Sequence, residues 1–580
     1  MNSPTTFYGD IAYDPERQSW VVTQLKPHVA IRLKAIFPRI PIGKSSRLVI
    51  AASPDTAADL QWFMERYPLK ASPEDRAVLK EAAKVYFDTQ AAAEAIRMPD
   101  WKPKTRLGLR SGQKLRDYQK VFLDLCEEVQ SLLCLDDIGL GKSYEGLAVG
   151  LIPGTLPMAV VVQPHLSKQW VAKAQEFINL RVCEITTIRP HDLPEADIYV
   201  FRYTQIAGWV DVLSSGYFKA VVYDEIQELR RGSESSKGTA AASIHDAVPY
   251  RVGLTATVVY NYGIEAFNIC DVIRRGALGT RHDFVREWCT HDGTGKGVVQ
   301  DPDALGAYLR EINLVIRRRK CEVGQEAKQG KPHIEWVEPD TKAVKDSAEL
   351  AESLAMTALT ADFTNAGRAA REFDLRMREM TGIAKATQVA AYTRMFVETG
   401  TPVILWGWHR EVYRIWLSAL ADLKPVMYTG SETTAQKERN KQAFINGETD
   451  LMIMSLRSGA GADGIQHRCS TGIFGELDWS PKIHEQCAGR LDRDGQEDTV
   501  FLFYAATQFG SDPTIIDLHG LKDSQGSGIT DPGVDAPVYQ ADADRIKRLA
   551  RDWLAARGKQ VPKRQHEDAV LLEEEQMALL

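Results

Sequence analysis

The sequence predicts an α/β fold with two parallel-sheet domains in tandem. Three observations carry this. Short apolar runs alternate with helical patterns over most of the chain. The runs fall into two blocks, separated by a long stretch rich in alanine and charge. One apolar run leads into a glycine- and lysine-bearing loop at a helix start, beginning at Cys134 in CLDDIGLGKSYEGLA.

In the first block, MAVVVQP (158–164), ADIYVFRY (196–203), KAVVYDE (219–225) and YRVGLTAT (250–257) read as buried strands. They are short, rich in valine and tyrosine, and bounded by polar or turn residues. The second block repeats the pattern in TPVILWG (401–407), DLMIMSL (450–456), TGIFGELDW (471–479) and TVFLFYAAT (499–507). Strands separated by helical stretches imply parallel sheets. Between the blocks, residues 341–398 hold no proline and only two glycines, and read as long helices. Ahead of both, PHVAIRLKAIFPRIPIGKSSRLVIAAS gives a helix, a proline-punctuated turn and a strand. A helical stretch follows at 72–97, then WKPKTRLGLRSGQ as a linker. Trp20, Trp62 and Trp101 are expected to be core or linker anchors. The last 40 residues read as helical with an acidic end.

At 580 residues the chain is too long for one core. A net charge of −7 excludes a uniformly basic nucleic-acid binder, so any such contact must be a local groove. The N-terminus lacks a basic-then-apolar signal pattern, and no apolar run approaches the roughly 20 residues of a membrane span. Eight cysteines without a CxxC pair point to reduced, buried thiols in an intracellular protein.

A phosphate loop needs glycine-rich backbone opening a helix, a lysine for the β/γ-phosphates and a hydroxyl for Mg²⁺. Gly139, Gly141, Lys142 and Ser143 supply these, although Asp136 stands where GxxxxGK[ST] has its first glycine. Alone, the motif could also be a solvated turn, as at Gly43–Ser46. In KAVVYDEIQELR, a buried strand runs into Asp224 and Glu225. Asp224 there can hold Mg²⁺ and Glu225 can orient or deprotonate an attacking water; the alternative is an acidic helix start capped by Asp224. Arg490 and Arg493 in EQCAGRLDRDGQ (485–496) are spaced for one helix face and suit charge on a transferring phosphoryl group. They lie in the second block. ATP bound by one block and touched by the other would couple hydrolysis to domain closure.

This ordered series resembles superfamily 2 helicases, specifically the Snf2-like branch of DNA-dependent ATPases, from Leu115 to Gln496. LRDYQ (115–119) resembles the adenine-reading Q motif and DDIGLGKS (136–143) the family's D-E-x-G-L-G-K-T, where Asp136 is ordinary. QPHLSKQW (163–170) resembles motif Ia and FRYTQIA (201–207) motif Ib. DEIQ (224–227) is motif II, with Gln227 where many members have His. GLTATV (253–258) resembles motif III with Val258 for the usual Pro, and MYTGSETTAQKERNKQAF (427–444) the stretch before motif V. SLRSGAGADGIQ (455–466) resembles motif V. ELDWSPKIHEQCAGRLDRDGQ (476–496) resembles D-x-x-W-N-P…Q-x-x-x-R-x-x-R-x-G-Q.

The resemblance implies two tandem RecA-like parallel-sheet domains with helical insertions, plus a small N-terminal domain. The boundaries would be 1–110 accessory, possibly DNA-binding; 111–325 domain 1 with a helical insertion at 259–325; 326–400 helical protrusion; 401–540 domain 2; 541–580 helical tail. It implies ATP and Mg²⁺ as cofactors. Gln119, Gly139, Gly141, Lys142, Ser143, Asp224 and Gln227 would bind nucleotide, Ser143 and Asp224 the Mg²⁺. Glu225, Asp224, Lys142, Gln486 and the arginine fingers Arg490 and Arg493 would carry catalysis. Gln227, Thr255 and Thr257 would sense the nucleotide. His165, Ser167, Tyr203, Thr204, Thr255, Ser455 and Arg457 would lie near DNA; His165 and Tyr203 could instead be loop residues capping a strand. The IRRRK run (316–320) would be a phosphate-backbone contact or a solvated charge run.

The implied activity is ATP-driven movement along duplex or forked DNA, as in branch migration, reannealing or remodelling. Alternatives are a strand-separating DNA or RNA helicase, or a motor subunit of a nuclease or defence complex. A monomer is expected, with no membrane partner and a protein partner in replication, repair or defence left open. The expected setting is a bacterial or phage cytoplasm, or the nucleus of a eukaryote.

Overall fold

The computed structural model describes residues 6–37, 40, 43, 46–255, 263–290, 297–324, 333–340, 342, 345, 348–360, 363–457, 463–517, 545–555 and 558. Among these the chain forms two compact units, one of residues 6–136 and 141–318, the other of 137–140, 319–517 and 545–555.

The first unit opens with an antiparallel sheet of β1 (Asp10–Asp14), β2 (Ser19–Thr23) and β3 (Arg47–Ala51), with α1 (Pro27–Ile36) before β3. α2 (Pro54–Arg66) and α3 (Pro73–Arg97) follow. The α3 start is written in Ser72-Pro73: the serine hydroxyl accepts from Asp75 N at 2.9 Å and the proline sits where no N–H is needed. Trp20 is core at 1% exposure and Trp101 anchors the linker through Nε1–H to Asp124 at 2.8 Å. Trp62 is neither: it is 66% exposed on α2, so that expectation is corrected.

After α4 (Asp117–Val129), β4 (Ser131–Cys134) enters a parallel sheet. α5 (Lys142–Ala148), β5 (Met158–Val162), α6 (Ser167–Phe177), β6 (Val182–Glu184), β7 (Ile198–Arg202), α7 (Val210–Leu213), β8 (Ala220–Asp224), α8 (Ser236–Ala247) and β9 (Tyr250–Leu254) continue it. Next come α9 (Gly263–Ile273), α10 (Arg281–Trp288), a short ribbon of β10 (Cys289–Thr290) and β11 (Val298–Val299), and α11 (Pro302–Glu311). β12 (Val315–Ile316) then returns to the sheet edge. Strand order is β12-β4-β9-β8-β5-β7-β6, every pairing parallel. All five residues of β5 are buried on both faces. Each such valine contributes about 1.5–3 kcal/mol relative to exposure.

The second unit carries β13 (His333–Trp336), α12 (Ala348–Thr360), α13 (Phe363–Glu398), β14 (Val403–Gly407), α14 (Arg410–Ala419), β15 (Val426–Tyr428), α15 (Thr434–Ile445), β16 (Leu451–Ser455), β17 (Thr471–Phe474), α16 (Pro481–Ala488), β18 (Phe501–Ala506) and α17 (Arg545–Ala555). Its sheet, β13-β18-β17-β14-β16-β15, is also parallel throughout. Thus the stretch 326–400, read as helical, also contributes an edge strand at 333–336. Its alternating His-Ile-Glu-Trp was too short to read as a strand. In TGIF, Gly472 leaves room for Trp406: a Cβ there would meet the indole at 2.3 Å. Trp406 stacks on Phe474, and Phe474 on Tyr504, each pair at 4.6 Å.

α13 is fixed to this sheet by a buried ion pair. Lys385 donates to Asp512 at 2.7 Å and to the Ala505 carbonyl at 2.6 Å, its side chain 1% exposed. Lys385→Met strands Asp512 and is expected to cost about 3–5 kcal/mol of the second unit's stability in urea unfolding. Lys385→Met with Asp512→Leu should recover most of the loss.

Candidate nucleotide and nucleic-acid site

β4, β9 and β8 are sheet neighbours, so the loops leaving their carboxyl ends lie side by side. The β4 loop turns through Gly139 (φ +96°) and Gly141 (φ +84°), a conformation costly for other residues, and opens α5 at Lys142. Gln119 is buried against it: a Cβ on Gly141 would meet the Gln119 Nε2 at 2.8 Å. The Gln119 Oε1 accepts from Arg116 N at 3.0 Å. Lys142 Nζ donates to the Asp136 carbonyl at 2.6 Å, inside its own loop. Ser143 is half-buried in the first turn of α5.

β8 ends at Asp224, whose carboxylate accepts from Trp170 Nε1 at 2.9 Å. Burial, then the charge of Glu225, raises its pKa; the Trp170 hydrogen bond, Lys173 and Lys142 act in the opposite sense. Asp224 is therefore not a helix cap but the end of a strand. Glu225 has φ +51°, in the left-handed region that a non-glycine residue occupies at a cost, and its carboxylate accepts from Gln227 Nε2 at 2.5 Å. Gln227, expected to sense nucleotide, thus touches the Glu225 carboxylate.

Beneath the loop lies a buried charge cluster. Asp136 and Glu145 have fully enclosed side chains, and Arg318 pairs with them at 2.5 and 2.6 Å. Arg318 also donates to the Tyr118 carbonyl and lies 5.0 Å over that ring. Cys134, Asp136 and Glu145 bring three potential ligand atoms within 4.8 Å of one another, but the cation among them is this guanidinium. In IRRRK, Arg317 donates to the Leu135 carbonyl at 2.9 Å and Arg319 pairs with Glu322 at 2.9 Å. In the second unit, buried Lys320 pairs with Asp492 at 2.7 Å. Arg317, Arg318 and Lys320 of the run are thus engaged within the protein, while the Arg319 side chain is 41% exposed.

Several residues expected near DNA turn their side chains inward. Ser167 is 1% exposed and donates to Glu184 at 2.7 Å, within a network that includes Arg202. Tyr203, 3% exposed, donates to the Asp224 carbonyl at 2.9 Å and so supports motif II. Thr255 is fully buried, its N–H donating to the Cys134 carbonyl at 3.1 Å. His165 and Thr204 are exposed. Thr257 lies outside the described residues.

In the second unit, β17, β14 and β16 are neighbours, and their carboxyl-end loops carry Asp478, Trp408 and Arg457. The Ser455 hydroxyl, 5% exposed, accepts from Arg457 N at 3.4 Å. Arg457 pairs with Asp478 at 2.9 Å, as does Arg378 at 3.1 Å. Gln486 and Arg490 are half-buried on and just after α16. Arg493 donates to the Gly489 carbonyl at 2.8 Å and pairs with Asp463.

No protein-family model matches the chain. It is 25% identical over 429 residues to the SWI/SNF-related matrix-associated actin-dependent regulator of chromatin subfamily A-like protein 1 of Drosophila melanogaster, covering 70% of this chain and 54% of that one. It is 24% identical over 428 residues to the ATP-dependent helicase YqhH of Bacillus subtilis, covering 66% and 73%. The chain is thus similar to Snf2-like superfamily 2 proteins. It spans about half the length of the Drosophila relative. Among solved structures, the Sulfolobus solfataricus SWI2/SNF2 ATPase core in complex with dsDNA aligns over 77% of this chain and 99% of that one, at 16% identity and TM-score 0.37. No described helix of the chain is long and apolar enough to cross a membrane.

Two outcomes are expected here. Arg318→Ala leaves two buried carboxylates uncompensated and should destabilise the first unit by about 3–5 kcal/mol in urea unfolding. Arg318→Lys should restore only part, because an ammonium lacks the guanidinium's fork. Burial alone would raise the pKa of Asp478, but Arg378 and Arg457 hold it below the usual carboxylate value. Its contribution is then present above the unfolded pKa and lost as pH falls through the depressed folded one. Thermal melts from pH 6 downward should show that acid loss, and Asp478→Asn should flatten it.

Proposed function

We propose that the chain is a DNA-stimulated ATPase that moves along duplex or forked DNA and so migrates, reanneals or remodels it. The observation that carries this is the carboxyl edge of the first sheet. There the glycine-opened start of α5, carrying Lys142 and Ser143, and Asp224 at the end of β8 come from the same edge of one parallel sheet. The names of the two relatives, an ATP-dependent helicase and a chromatin regulator, support the same reading.

The residues present fit ATP and Mg²⁺. The two left-handed glycines keep the loop free of side chains where a phosphate needs backbone N–H groups. Gln119, buried against Gly141, would read adenine. Lys142 would exchange the Asp136 carbonyl for phosphate oxygens. Ser143 and Asp224 would hold Mg²⁺, which supplies charge neutralisation at the transferring phosphoryl group. Glu225 would orient the attacking water and accept its proton, with Gln227 fixing the carboxylate. Arg490 and Arg493 would stabilise transition-state charge, Arg493 first leaving Asp463. Gripping the phosphate backbone makes the track independent of sequence.

Purified protein should hydrolyse ATP faster with duplex or forked DNA than with none, single strands or RNA. Lys142→Ala should lose the activity by about a hundredfold or more. Stimulation by RNA alone would overturn the DNA substrate. A rate unmoved by any nucleic acid would overturn the motor.

A further inference from the structure

Asp224 is held at two points by residues that follow other strands. Its carboxylate Oδ2 accepts from the indole Nε1–H of Trp170 at 2.9 Å, and its carbonyl accepts from the Tyr203 hydroxyl at 2.9 Å. Trp170 lies on α6, the crossover after β5, and Tyr203 directly follows β7. β5 pairs with both β7 and β8, so the two side chains approach Asp224 from the adjacent crossover and the strand beyond it. Both are core, 2% and 3% exposed. Among the described residues the indole is the carboxylate's one hydrogen-bond donor.

The same indole reaches the glycine-opened helix. Gly146 follows Ser143 by three residues on α5, so the two share a helix face. A Cβ on Gly146 would meet Trp170 Cη2 at 3.1 Å and Val222 Cγ1 of β8 at 3.1 Å. The missing side chain lets α5 close onto the ring. One rigid indole thus spaces the helix that carries Ser143 from the strand that carries Asp224. Burial accounts for an aromatic ring here but not for the use of its N–H. Trp20 and Trp406 are buried as deeply, and their indole nitrogens have no hydrogen-bond partner among the described residues.

We infer that Trp170 is a positioning residue that leaves Asp224 a single oxygen for the cation of a bound nucleotide and so sets a preference for Mg²⁺ over Ca²⁺. The inference rests on the ATP reading above. With Oδ2 taken by the indole, the carboxylate presents Oδ1 alone, and the Tyr203 bond fixes the main chain behind it. Mg²⁺ demands near-ideal octahedral geometry, whereas Ca²⁺ also accepts a carboxylate through both oxygens in looser arrangements. An aspartate restricted to one oxygen suits the smaller ion. Trp170 touches neither cation nor nucleotide; it acts through Asp224, as the outer partners of metal-binding carboxylates do.

The test is equilibrium binding of a fluorescent, non-hydrolysable ATP analogue to the full chain, measured in EDTA, across a Mg²⁺ titration and across a Ca²⁺ titration. Trp170→Phe keeps a ring and removes the N–H. It should bind the analogue in EDTA within about twofold of wild type, yet need about tenfold more Mg²⁺ to reach its tight-binding state. Its Ca²⁺ requirement should move by less than about twofold, so that the preference between the ions narrows. Benzothienylalanine at position 170, an indole with sulfur in place of the N–H, should give the same result and decides the matter where Trp170→Phe lowers the melting temperature. Adding Trp170→Phe to Asp224→Ala should change nothing further, since the indole acts only through the carboxylate. An unaltered Mg²⁺ requirement, equal losses with both ions, a loss already present in EDTA, or a further loss in the double variant overturns the positioning role alone. Wild-type protein that binds the analogue no better with Mg²⁺ overturns the cation role of Asp224 and this inference with it. Wild-type protein that binds no analogue at all overturns the ATP reading itself.

Discussion

Parallel pairing is the constraint on which both units depend. A parallel strand must be followed by a crossover, so successive strands all present their carboxyl ends to the same edge. In the first unit this brings the glycine loop, Thr255 and Asp224 onto adjacent strands although they are far apart in sequence. In the second it does the same for Trp408, Arg457 and Asp478. Both faces of each sheet are consumed by packing, as the fully buried β5, β14 and β16 show. Chemistry is left the edge, where backbone turns and a polar residue can end a strand without breaking the core.

Charge burial is the second organising cost. Asp136, Glu145 and Arg318 are enclosed together, and Lys385 and Asp512 form a separate enclosed pair. Neither is a gain in stability over well-packed apolar side chains. What such groups do is restrict geometry: Arg318 ties α4, the β4 loop and α5 to the strand that returns after α11. A loop that must keep two glycines in left-handed conformations is thereby held from below by directional bonds rather than by packing alone.

The fold was largely legible because wholly apolar strands of four to six residues have few alternative readings. All eight runs singled out in the two blocks are strands. The helices at 73–97 and 363–398 were equally plain, the second from its lack of proline and its run of alanine and charged residues. The short edge strands escaped: Val182–Glu184, Val315–Ile316 and His333–Trp336 have too few residues for a period to show. At the site, glycines and carboxylates announced themselves because their conformations and positions are demanding. Ser167 and Tyr203 misled because a polar residue after a strand can equally turn inward to bond a neighbour. The arginine run misled for a related reason. Composition reports charge but not its partner, and Arg318's partners precede it by more than 170 residues.

The lower end of α3 has a bearing on how the chain was assembled. Arg97 donates to the Asn313 side chain and to the Val315 carbonyl, each at 3.0 Å, and Asn313 donates to Gln90 at 2.6 Å. The N-terminal helix therefore supplies hydrogen bonds to the segment that closes the first parallel sheet. Whatever its origin, this region has become part of that sheet's foundation rather than an appendage tethered to it. A recombination event exchanging it for another module would have to bring equivalents of Gln90 and Arg97, or find new partners for Asn313 and the strand it leads into. The first hundred residues are in this way coupled to the parallel sheet they adjoin.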